Sequence, residues 1–397
     1  MRVLMVSDVY FPRVNGVSTS IQTFRHDLAA RGCETWLVAP EYPQRWQDDA
    51  RVVRQPSRYL TFDPEDRMMK PRATLAACLE FSGSVDVLHV QTPFVAHWVG
   101  LKAARLLRVP TVETYHTFFE EYLHHYLPLL PAAAARAFAR TISRRQCNAV
   151  EAVVAPSRQL ADVLAGYGVT RPIHTIPTGL NLGEFERGDA RVFRALHGIA
   201  ADRPVMLLVG RVAHEKNIGF LLRVLGEIKR RIPNALLVIA GEGPALPGLR
   251  RAAAEAELQG NVLFVGYLDR RGPLLDCYRA ADVFVFASRT ETQGLVLLES
   301  LALGVPVVST AVLGTKEVLA NAAGALVVRE DVAEFAAAVV RVLTEPDLRT
   351  RLASAGREFV ERHWSSRETA KRLLELYEEV VRTKRVDSTT TRYDTAA

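Results

Sequence analysis

The sequence predicts an α/β protein with two Rossmann-like domains, each a doubly wound parallel sheet, that face each other across a central cleft. Short apolar runs alternate with longer amphipathic segments, which is typical of parallel sheets built from βαβ units. The alternation starts again after Ile176–Arg187, a stretch in which prolines and glycines crowd together. The length of 397 residues is large for one hydrophobic core and suits two domains.

The first series of elements predicts an N-terminal domain over residues 1–182. Its apolar runs are short and bounded, as expected for strands that are buried on both faces of a sheet. The segments between them have the wider spacing of apolar residues that amphipathic helices show. The predicted strands are Val3–Ser7, Thr35–Ala39, Val87–Val90, Thr111–Glu113 and Ala152–Ala155, and the predicted helices are Val17–Arg31 and Ala96–Leu107.

The second series predicts a C-terminal domain over residues 183–366. A helix over about 367–385 follows it, and the tail 386–397, rich in Ser, Thr and Asp, is predicted to be disordered. The predicted strands are Val205–Val209, Ala235–Ala240, Val262–Val265, Val283–Ala287, Val305–Ser309 and Gly324–Val327. The predicted helices are Gly219–Arg230, Leu246–Glu257, Leu295–Leu303 and Val332–Leu343.

The composition excludes several classes of protein. About half of the residues are apolar (49%) and 24% are charged, which rules out a disordered or fibrous chain. The net charge of +6 is compatible with a phosphate-bearing ligand or an anionic surface without establishing either, and we expect no nucleic-acid partner. The four cysteines lie far apart, so neither a disulfide framework nor a zinc site is expected. Without an apolar run of 18 residues or a signal peptide, we expect a cytoplasmic protein.

The loop after the first predicted strand is a candidate anion site. It runs from Ser7 to Ser18 and contains Gly16, which lets the backbone approach a ligand closely. Ser18 to Ser20 are expected to cap the following helix, whose first N–H groups attract phosphate. An ordinary strand-to-helix turn explains the same residues equally well. The fingerprint GxGxxG is absent, which argues against an NAD or FAD domain.

Three strand-end loops of the second domain carry candidate ligand-binding residues. Gly210 and Arg211 follow its first strand, and Lys216 lies five residues beyond Arg211. An arginine and a lysine at this position can converge on one diphosphate, although a solvated basic loop is the alternative. The next two loops, at 240–244 and 265–268, either offer backbone groups to a nucleobase or serve as simple turns, and their candidate residues are Glu242, Tyr267 and Leu268.

The most specific pattern is a pair of glutamates with seven residues between them. Glu291 lies in the loop before a predicted helix, and Glu299 lies inside that helix. Gly294 and Leu295 stand at the helix start, where unpaired N–H groups can hold a phosphate. One carboxylate can therefore reach hydroxyls on one side of a diphosphate and the second carboxylate those on the other side. This arrangement suits a nucleotide-sugar.

Together these motifs resemble those of retaining glycosyltransferases of family 4, which have the GT-B fold, over essentially the whole chain. The residues that carry the resemblance are Ser7-Asp8 to Gly16-Val17, Tyr115-His116-Thr117, Gly210-Arg211 with Glu215-Lys216-Asn217, Gly241-Glu242-Gly243, and Glu291 to Glu299 with Gly304-Val305-Pro306-Val307. The resemblance implies that the terminal helix crosses back onto the first domain.

The resemblance also implies roles for the candidate residues. Arg211 and Lys216 would bind the donor diphosphate and stabilise the leaving group, Glu291 would hold the transferred sugar, and Glu299 would hold the ribose. The remaining roles are backbone donation by Gly294 and Leu295, close approach of the first domain at Gly16, and contact with the sugar or reacting centre by His116.

The implied activity is transfer of a hexose from a nucleotide-sugar, with UDP-sugar favoured and GDP-sugar as the alternative. The chain has no Asp-x-Asp pair for a metal, and two fixed cations can neutralise the leaving diphosphate, so no metal or other cofactor is expected. The rival interpretations are a nucleotide-sugar epimerase, which would lack the paired glutamates, and a non-catalytic nucleotide-sugar-binding protein.

The acceptor is the open question. The segment 112–126 and Gln293 resemble their counterparts in diacylglycerol glycosyltransferases, which indicates a glycolipid product such as one made from UDP-glucose. Arg136, Arg140 and Arg144 follow at four-residue intervals, as on one stripe of a basic amphipathic helix. We therefore expect residues 118–148 to contact an anionic membrane surface and a lipid acceptor, with peripheral attachment to the inner face. An ordinary solvated helix and a soluble or polysaccharide acceptor are the alternatives.

Overall fold

The computed structural model describes residues 1–44, 46–59, 67–116, 118, 132–270 and 272–394. The chain forms two compact units: unit 1 comprises Met1–Gly179 with Ser366–Ala397, and unit 2 comprises Leu180–Ser365. These bounds lie within three residues of the division at 182/183 expected from the proline- and glycine-rich stretch. The terminal segment belongs to unit 1 although it follows unit 2 in sequence.

Unit 1 contains a seven-stranded parallel sheet in the order β3-β2-β1-β6-β7-β8-β9 and a small antiparallel pair, β4-β5. The order reverses between β1 and β6, so the loops that follow these two strands are neighbours. The strands are β1 (Arg2–Val6), β2 (Glu34–Pro40), β3 (Val52–Gln55), β4 (Ser57–Tyr59), β5 (Arg67–Met69), β6 (Val87–Val90), β7 (Thr111–Thr114), β8 (Ala152–Ala155) and β9 (Ile173–Thr175). In the described part of unit 1, the helices are α1 (Gly16–Ala29), α2 (Pro71–Leu79), α3 (Val95–Leu107), α4 (Ala132–Cys147) and α5 (Arg158–Gly166).

Unit 2 contains a six-stranded parallel sheet in the order β12-β11-β10-β13-β14-β15. Here the order reverses between β10 and β13. The strands are β10 (Val205–Val209), β11 (Leu236–Ala240), β12 (Val262–Gly266), β13 (Val283–Phe286), β14 (Val307–Ser309) and β15 (Ala325–Val327). The helices are α6 (Ala190–Leu196), α7 (Ile218–Lys229), α8 (Leu246–Glu255), α9 (Pro273–Arg279), α10 (Leu295–Ala302), α11 (Gly314–Leu319), α12 (Val332–Thr344) and α13 (Pro346–His363), with 3-10 turns at Leu182–Phe185 and His214–Lys216.

Each sheet is covered by apolar side chains on both faces. In β10, Val205, Leu207 and Val209 pack into one core of unit 2, and Met206 and Leu208 pack into the other. Successive side chains of a strand point to opposite faces, so a strand covered on both sides must be apolar throughout. This is why β10 appears in the sequence as an unbroken apolar run.

The sequence analysis missed the short elements at the margins of the sheets. β3 and β9 are edge strands of four and three residues, and most of their side chains are only half-buried. Such strands lack the continuous apolar run that identifies a central strand.

The tail is a correction to the sequence-based prediction. Helix α14 spans Ser366–Asp394, so the segment from Val386 that was predicted to be disordered is helical as far as Asp394, and residues 395–397 lie outside the described residues. No glycine or proline occurs between Ser366 and Asp394. Without such a residue to end it, an established helix gains one hydrogen bond for each residue added.

Candidate active site

Apart from Gly16 of unit 1, the predicted donor-binding residues lie around the carboxyl end of the sheet in unit 2. β10 and β13 are adjacent there, and the strand order reverses between them. Ligands of open α/β sheets bind beside the strand ends at such a switch point. The loops after these two strands contain Gly210, Arg211 and Lys216 on one side and Glu291 and Gly294 on the other.

Lys216 and Glu291 form an ion pair across the switch point. The Nζ of Lys216 donates a hydrogen bond to Oε1 of Glu291, and the two side chains are 15% and 19% exposed. The loops are also joined by their backbones, because the N–H of Arg289 donates to the carbonyl of Glu215 at 3.4 Å. The structure thus brings together two of the predicted catalytic residues and leaves both within reach of a ligand.

Glycines allow the loops after β10 and β11 to touch. A Cβ on Gly241 would lie 1.9 Å from the carbonyl oxygen of Gly210, and the φ of Gly241 is +143°. The N–H of Val212, next to Arg211, donates to the carbonyl of Glu242 at 2.8 Å. No larger residue fits at position 241, so this glycine fixes the spacing of the two loops.

The loop after β12 lies beside the loops after β10 and β11. The N–H of Gly241 donates to the carbonyl of Gly266 at 2.8 Å, and Tyr267 and Leu268 follow directly. Tyr267 is 50% exposed. Five predicted residues, namely Gly210, Arg211, Glu242, Tyr267 and Leu268, therefore lie in three loops that are hydrogen-bonded to one another.

Gly294 and Leu295 mark the start of α10 as predicted. Gly294 has a φ of +92°, and a Cβ there would lie 2.8 Å from Cγ2 of Thr315. Both the positive φ and the short distance to Thr315 require glycine at this position. The loop before it is held in place because the N–H of Gly314 donates to the carbonyl of Glu291 at 3.0 Å. Gly294 is the N-cap residue of α10, and as a glycine it has no side chain that could accept a hydrogen bond from the first N–H groups of the helix. The first turn of this helix therefore presents main-chain N–H groups of the kind that bind anions.

Glu299 is buried and held by two residues that the sequence analysis missed. It is 1% exposed; an arginine nitrogen of Arg270 lies 2.6 Å from its Oε1, and the hydroxyl of Tyr278 donates to its Oε2 at 3.0 Å. Arg270 follows the strand-end loop 265–268 by two residues, which is the signal that could have identified it. Tyr278 is spaced too far from Glu299 in the sequence to suggest the contact.

In unit 1, Gly16 opens helix α1, and the cap of this helix differs from the prediction. Asn15, not Ser18 or Ser20, is the N-cap residue: its Oδ1 accepts the N–H of Ser18 at 2.9 Å. The hydroxyl of Ser18 instead donates to the carbonyl of Arg13 at 2.7 Å. Asparagine and serine compete for this role, and the residue with extended backbone immediately before the helix takes it. A Cβ on Gly16 would meet no protein atom within 4 Å, so the space beside it is open.

His116 lies just after β7 and is neutral at physiological pH. Burial lowers its pKa to about 4. Its Nε2 lies 3.1 Å from Oε1 of Gln91, the residue that follows β6. The neutral ring can donate one hydrogen bond and accept another, but it is not a cation. The sequence analysis identified His116 and missed Gln91.

Asp8 joins the two neighbouring loops of unit 1. Its carboxylate accepts hydrogen bonds from the hydroxyl of Thr92 at 2.8 Å and from the N–H of Ala96 at 3.1 Å. Burial raises its pKa to about 6. Asp8 therefore fixes the start of α3 against the loop after β1.

Family models match both halves of the chain. Residues 14–184 match the model "Glycosyltransferase Family 4", and residues 189–359 match the model "Glycosyl transferases group 1". A relative from Streptococcus pneumoniae, alpha-monoglucosyldiacylglycerol synthase, is 33% identical over 78% of this chain and 71% of its own length. The chain belongs to glycosyltransferase family 4. It is a hexosyltransferase, as the sequence analysis predicted.

Other relatives and solved structures extend the comparison. A GDP-mannose-dependent alpha-mannosyltransferase from Mycobacterium tuberculosis is 29% identical over 80% of this chain and 81% of its own length. A sucrose-phosphate synthase structure from Thermosynechococcus elongatus covers 96% of this chain and 99% of its own with a TM-score of 0.77, at 23% identity. This likeness confirms the predicted GT-B fold of two parallel-sheet domains. Within the residues that the model describes, no helix is long and apolar enough to span a membrane.

Proposed function

We propose that this glycosyltransferase is retaining and metal-independent, uses a nucleotide-sugar as donor, and transfers the sugar to a lipid acceptor such as diacylglycerol. The observation that carries the donor part is the Lys216–Glu291 ion pair at the switch point of unit 2, with Arg211 in the same loop as the lysine. A cation and a carboxylate side by side suit a ligand that presents a diphosphate next to a hydroxyl-rich sugar.

The proposed chemistry is stabilisation of the leaving diphosphate. Cleavage of the anomeric C–O bond leaves negative charge on the nucleoside diphosphate, and Lys216 and Arg211 would neutralise it. The N–H groups at the start of α10 add donors that need no reorientation. Glu291, already fixed by its ion pair with Lys216, would accept hydrogen bonds from the sugar hydroxyls. In unit 1, the neutral ring of His116 suits a hydrogen bond to a sugar hydroxyl better than charge compensation.

Glu299 remains the candidate for the ribose. An ionised carboxylate has about four lone-pair sites. The hydrogen bond from Tyr278 and the ion pair with Arg270 use part of this capacity and fix the orientation of the carboxylate. Because Glu299 is 1% exposed, the two ribose hydroxyls would reach the remaining sites after the Arg270 side chain moves away from Oε1, and Arg270 would still compensate the charge of the glutamate.

Alanine variants test the assignment of the donor site. Lys216→Ala and Glu291→Ala should each lower turnover of the donor by about 10²-fold or more, because each removes a group that acts on the reacting sugar or its leaving group. The measurement is release of the nucleoside diphosphate from purified enzyme. Lys229→Ala and Glu255→Ala, which change the same residue types elsewhere in unit 2, serve as matched controls. Near-wild-type rates in both site variants would show that the donor binds elsewhere.

The nucleobase is proposed to be uracil, with guanine as the alternative. The two relatives are named for a monoglucosyl product and for GDP-mannose, so the family includes different donors. A thermal-shift screen of UDP-, GDP- and ADP-sugars decides between them, because a ligand that binds the folded state at 100 times its Kd adds about 2.7 kcal/mol of stability. We expect the largest shift with a UDP-sugar. A larger shift with a GDP-sugar would replace uracil by guanine, and no shift with any of them would contradict a nucleotide-sugar donor.

Metal independence is tested by chelation. Since Arg211 and Lys216 are proposed to supply the charge that a metal would otherwise supply, donor turnover should be unchanged in excess EDTA. The matched control is a metal-dependent glycosyltransferase assayed in the same buffer. Loss of turnover that Mg²⁺ or Mn²⁺ restores would overturn this part of the proposal. Slow hydrolysis of the donor without acceptor would in addition exclude a non-catalytic binding protein.

The lipid acceptor is supported by the surface of α4. Arg136, Arg140 and Arg144 are exposed and line a groove of about 480 Å³ with Gly166 and Tyr167. The Arg140 guanidinium lies over the ring of Tyr167, 5.8 Å from its centre. Phe138, on the same helix, is 49% exposed. Residues 119–131 of the segment expected to contact the membrane lie outside the described residues.

Two further exposed aromatic residues of unit 1 belong to α3 and its N-cap. Phe94 and Trp98 are 53% and 62% exposed, and the start of α3 meets the end of α4 where Nε2 of Gln146 donates to the carbonyl of Pro93 at 2.7 Å. Exposed aromatic rings and cationic side chains are both typical of surfaces that lie in a membrane interface. An enzyme that acts from the aqueous side on an acceptor held in the bilayer requires a surface that binds the membrane.

Liposome binding tests the membrane surface. Vesicles with anionic lipid should bind the enzyme at low salt and release it at high salt, since each cation near an anionic surface contributes about 1 kcal/mol. The triple variant Arg136→Glu, Arg140→Glu and Arg144→Glu should lose this binding. The variant Arg230→Glu, Arg251→Glu and Arg351→Glu changes the net charge equally on unit 2 and should retain it. Negligible binding of the wild type in every condition would favour a soluble or polysaccharide acceptor.

A further inference from the structure

Gln91 is a buried amide placed against a proposed catalytic residue. It is 3% exposed, and its Oε1 lies 3.1 Å from Nε2 of His116. An amide oxygen only accepts hydrogen bonds, so the ring nitrogen that faces it must carry the proton. The neutral ring is then the Nε2–H tautomer, whose Nδ1 is an acceptor.

The loop that carries Gln91 is held from three directions. The N–H of Gln91 donates to the carbonyl of Val6 in β1 at 2.9 Å. The hydroxyl of Thr92 donates to Asp8 at 2.8 Å, and the carbonyl of Pro93 accepts a hydrogen bond from Gln146 of α4 at 2.7 Å. Three successive residues are thus held by β1, by the loop after β1 and by α4. The backbone position of Gln91 is therefore determined by the fold and not by His116.

Two titratable groups near His116, His89 and Tyr377, carry no charge at neutral pH, whereas Asp8, whose pKa burial raises to about 6, is largely ionised there and contacts Thr92 beside Gln91. Burial lowers the pKa of His89, the neighbour in β6, to about 3, with a further lowering from His116. The ring of His89 contacts the hydroxyls of Tyr377, at 2.6 Å, and Thr114, at 2.7 Å, and burial raises the pKa of Tyr377 well above its usual range. Neither His89 nor Tyr377 carries a charge that could orient the His116 ring.

We propose that Gln91 is a positioning residue for His116: it holds the imidazole as the Nε2–H tautomer, so that Nδ1 accepts a hydrogen bond from a hydroxyl of the reacting sugar. This inference rests on the proposed function, which assigns His116 to the sugar. It goes beyond that function because it names the residue that fixes the protonation site of the ring.

The direct test is NMR of the full chain with ¹⁵N-labelled histidine, with the His116 signals assigned from the spectrum of His116→Asn. The wild type should show a protonated Nε2 and an unprotonated Nδ1. In Gln91→Leu this preference should be lost. In Gln91→Glu the carboxylate should stabilise the imidazolium and raise the pKa of His116 by about 1–3 units from its value of about 4.

The kinetic test uses the same variants. Gln91→Leu should lower kcat by about 10- to 100-fold with little change in KM for the donor, because the ring is present but misoriented. In Gln91→Glu the acid limb of the pH profile should move upward together with the pKa of the ring. Gln22→Leu is the matched control, since it makes the same substitution at an exposed glutamine of α1 in the same unit, and it should leave the tautomer and the pH profile unchanged.

The outcomes separate the positioning role from the proposed function. A wild-type ring protonated at Nδ1, or Gln91 variants with the wild-type tautomer and pH profile, would overturn the role of Gln91. A changed tautomer in Gln91→Leu with undiminished kcat would instead remove His116 from the reaction, and the positioning role with it, while the donor-site results for Lys216 and Glu291 still stand. Because the tautomer is read without substrate, an inactive preparation does not obscure the result.

Discussion

A parallel sheet with helices on both faces requires strands that are apolar on both sides, and this requirement places the chemistry of the chain at the strand ends. β10 has no polar side chain from Val205 to Val209, and the first residues able to bind a ligand are Gly210 and Arg211, where the strand stops. The ion pair of Lys216 with Glu291 depends on the same constraint. Two adjacent strands end there, and their loops, free of the packing that the strands must satisfy, can carry opposite charges towards each other.

Strands β6 and β7 of unit 1 are not apolar throughout, and their buried polar side chains show what a polar residue in a covered strand requires. They bury His89, Glu113 and Thr114, and a polar group withdrawn from water is tolerated where it finds a partner. His89 finds two, Thr114 and Tyr377 of α14, and Glu113 lies 3.1 Å from Nδ1 of His97. The contact with Tyr377 ties the terminal helix to the centre of the sheet in unit 1. Leu373, Leu376 and Val380 of the same helix pack into a core of unit 1, and this burial explains why a helix that follows unit 2 in sequence completes unit 1.

The central strands and the loops that follow them could be predicted because their signals are local. An apolar run of five residues, a glycine at a strand end or a glutamate before a helix is visible in one short stretch of sequence. Edge strands such as β3 and β9 were missed because half-buried residues give no such run. Tyr278 and Gln91 were missed for a different reason. Each acts through a residue distant in sequence, and only the folded chain shows that Tyr278 faces Glu299 or that Gln91 faces His116.

The two units differ in the charge of their candidate residues. This difference fits the roles that we propose, in which unit 2 binds the donor diphosphate and unit 1 contacts a sugar hydroxyl. Unit 2 presents Lys216 and Glu291 as a charged pair and holds Glu299 against the cationic Arg270. Its charges suit a donor whose diphosphate gains negative charge as the sugar leaves. Unit 1 presents His116 as a neutral ring. A neutral hydrogen-bonding surface suits hydroxyl groups, which an imidazolium would bind no better while adding a charge that must be compensated elsewhere. The hydrogen bond that Gln91 accepts from His116 is important for this reason, because a neutral imidazole is defined chemically by which of its nitrogens carries the proton.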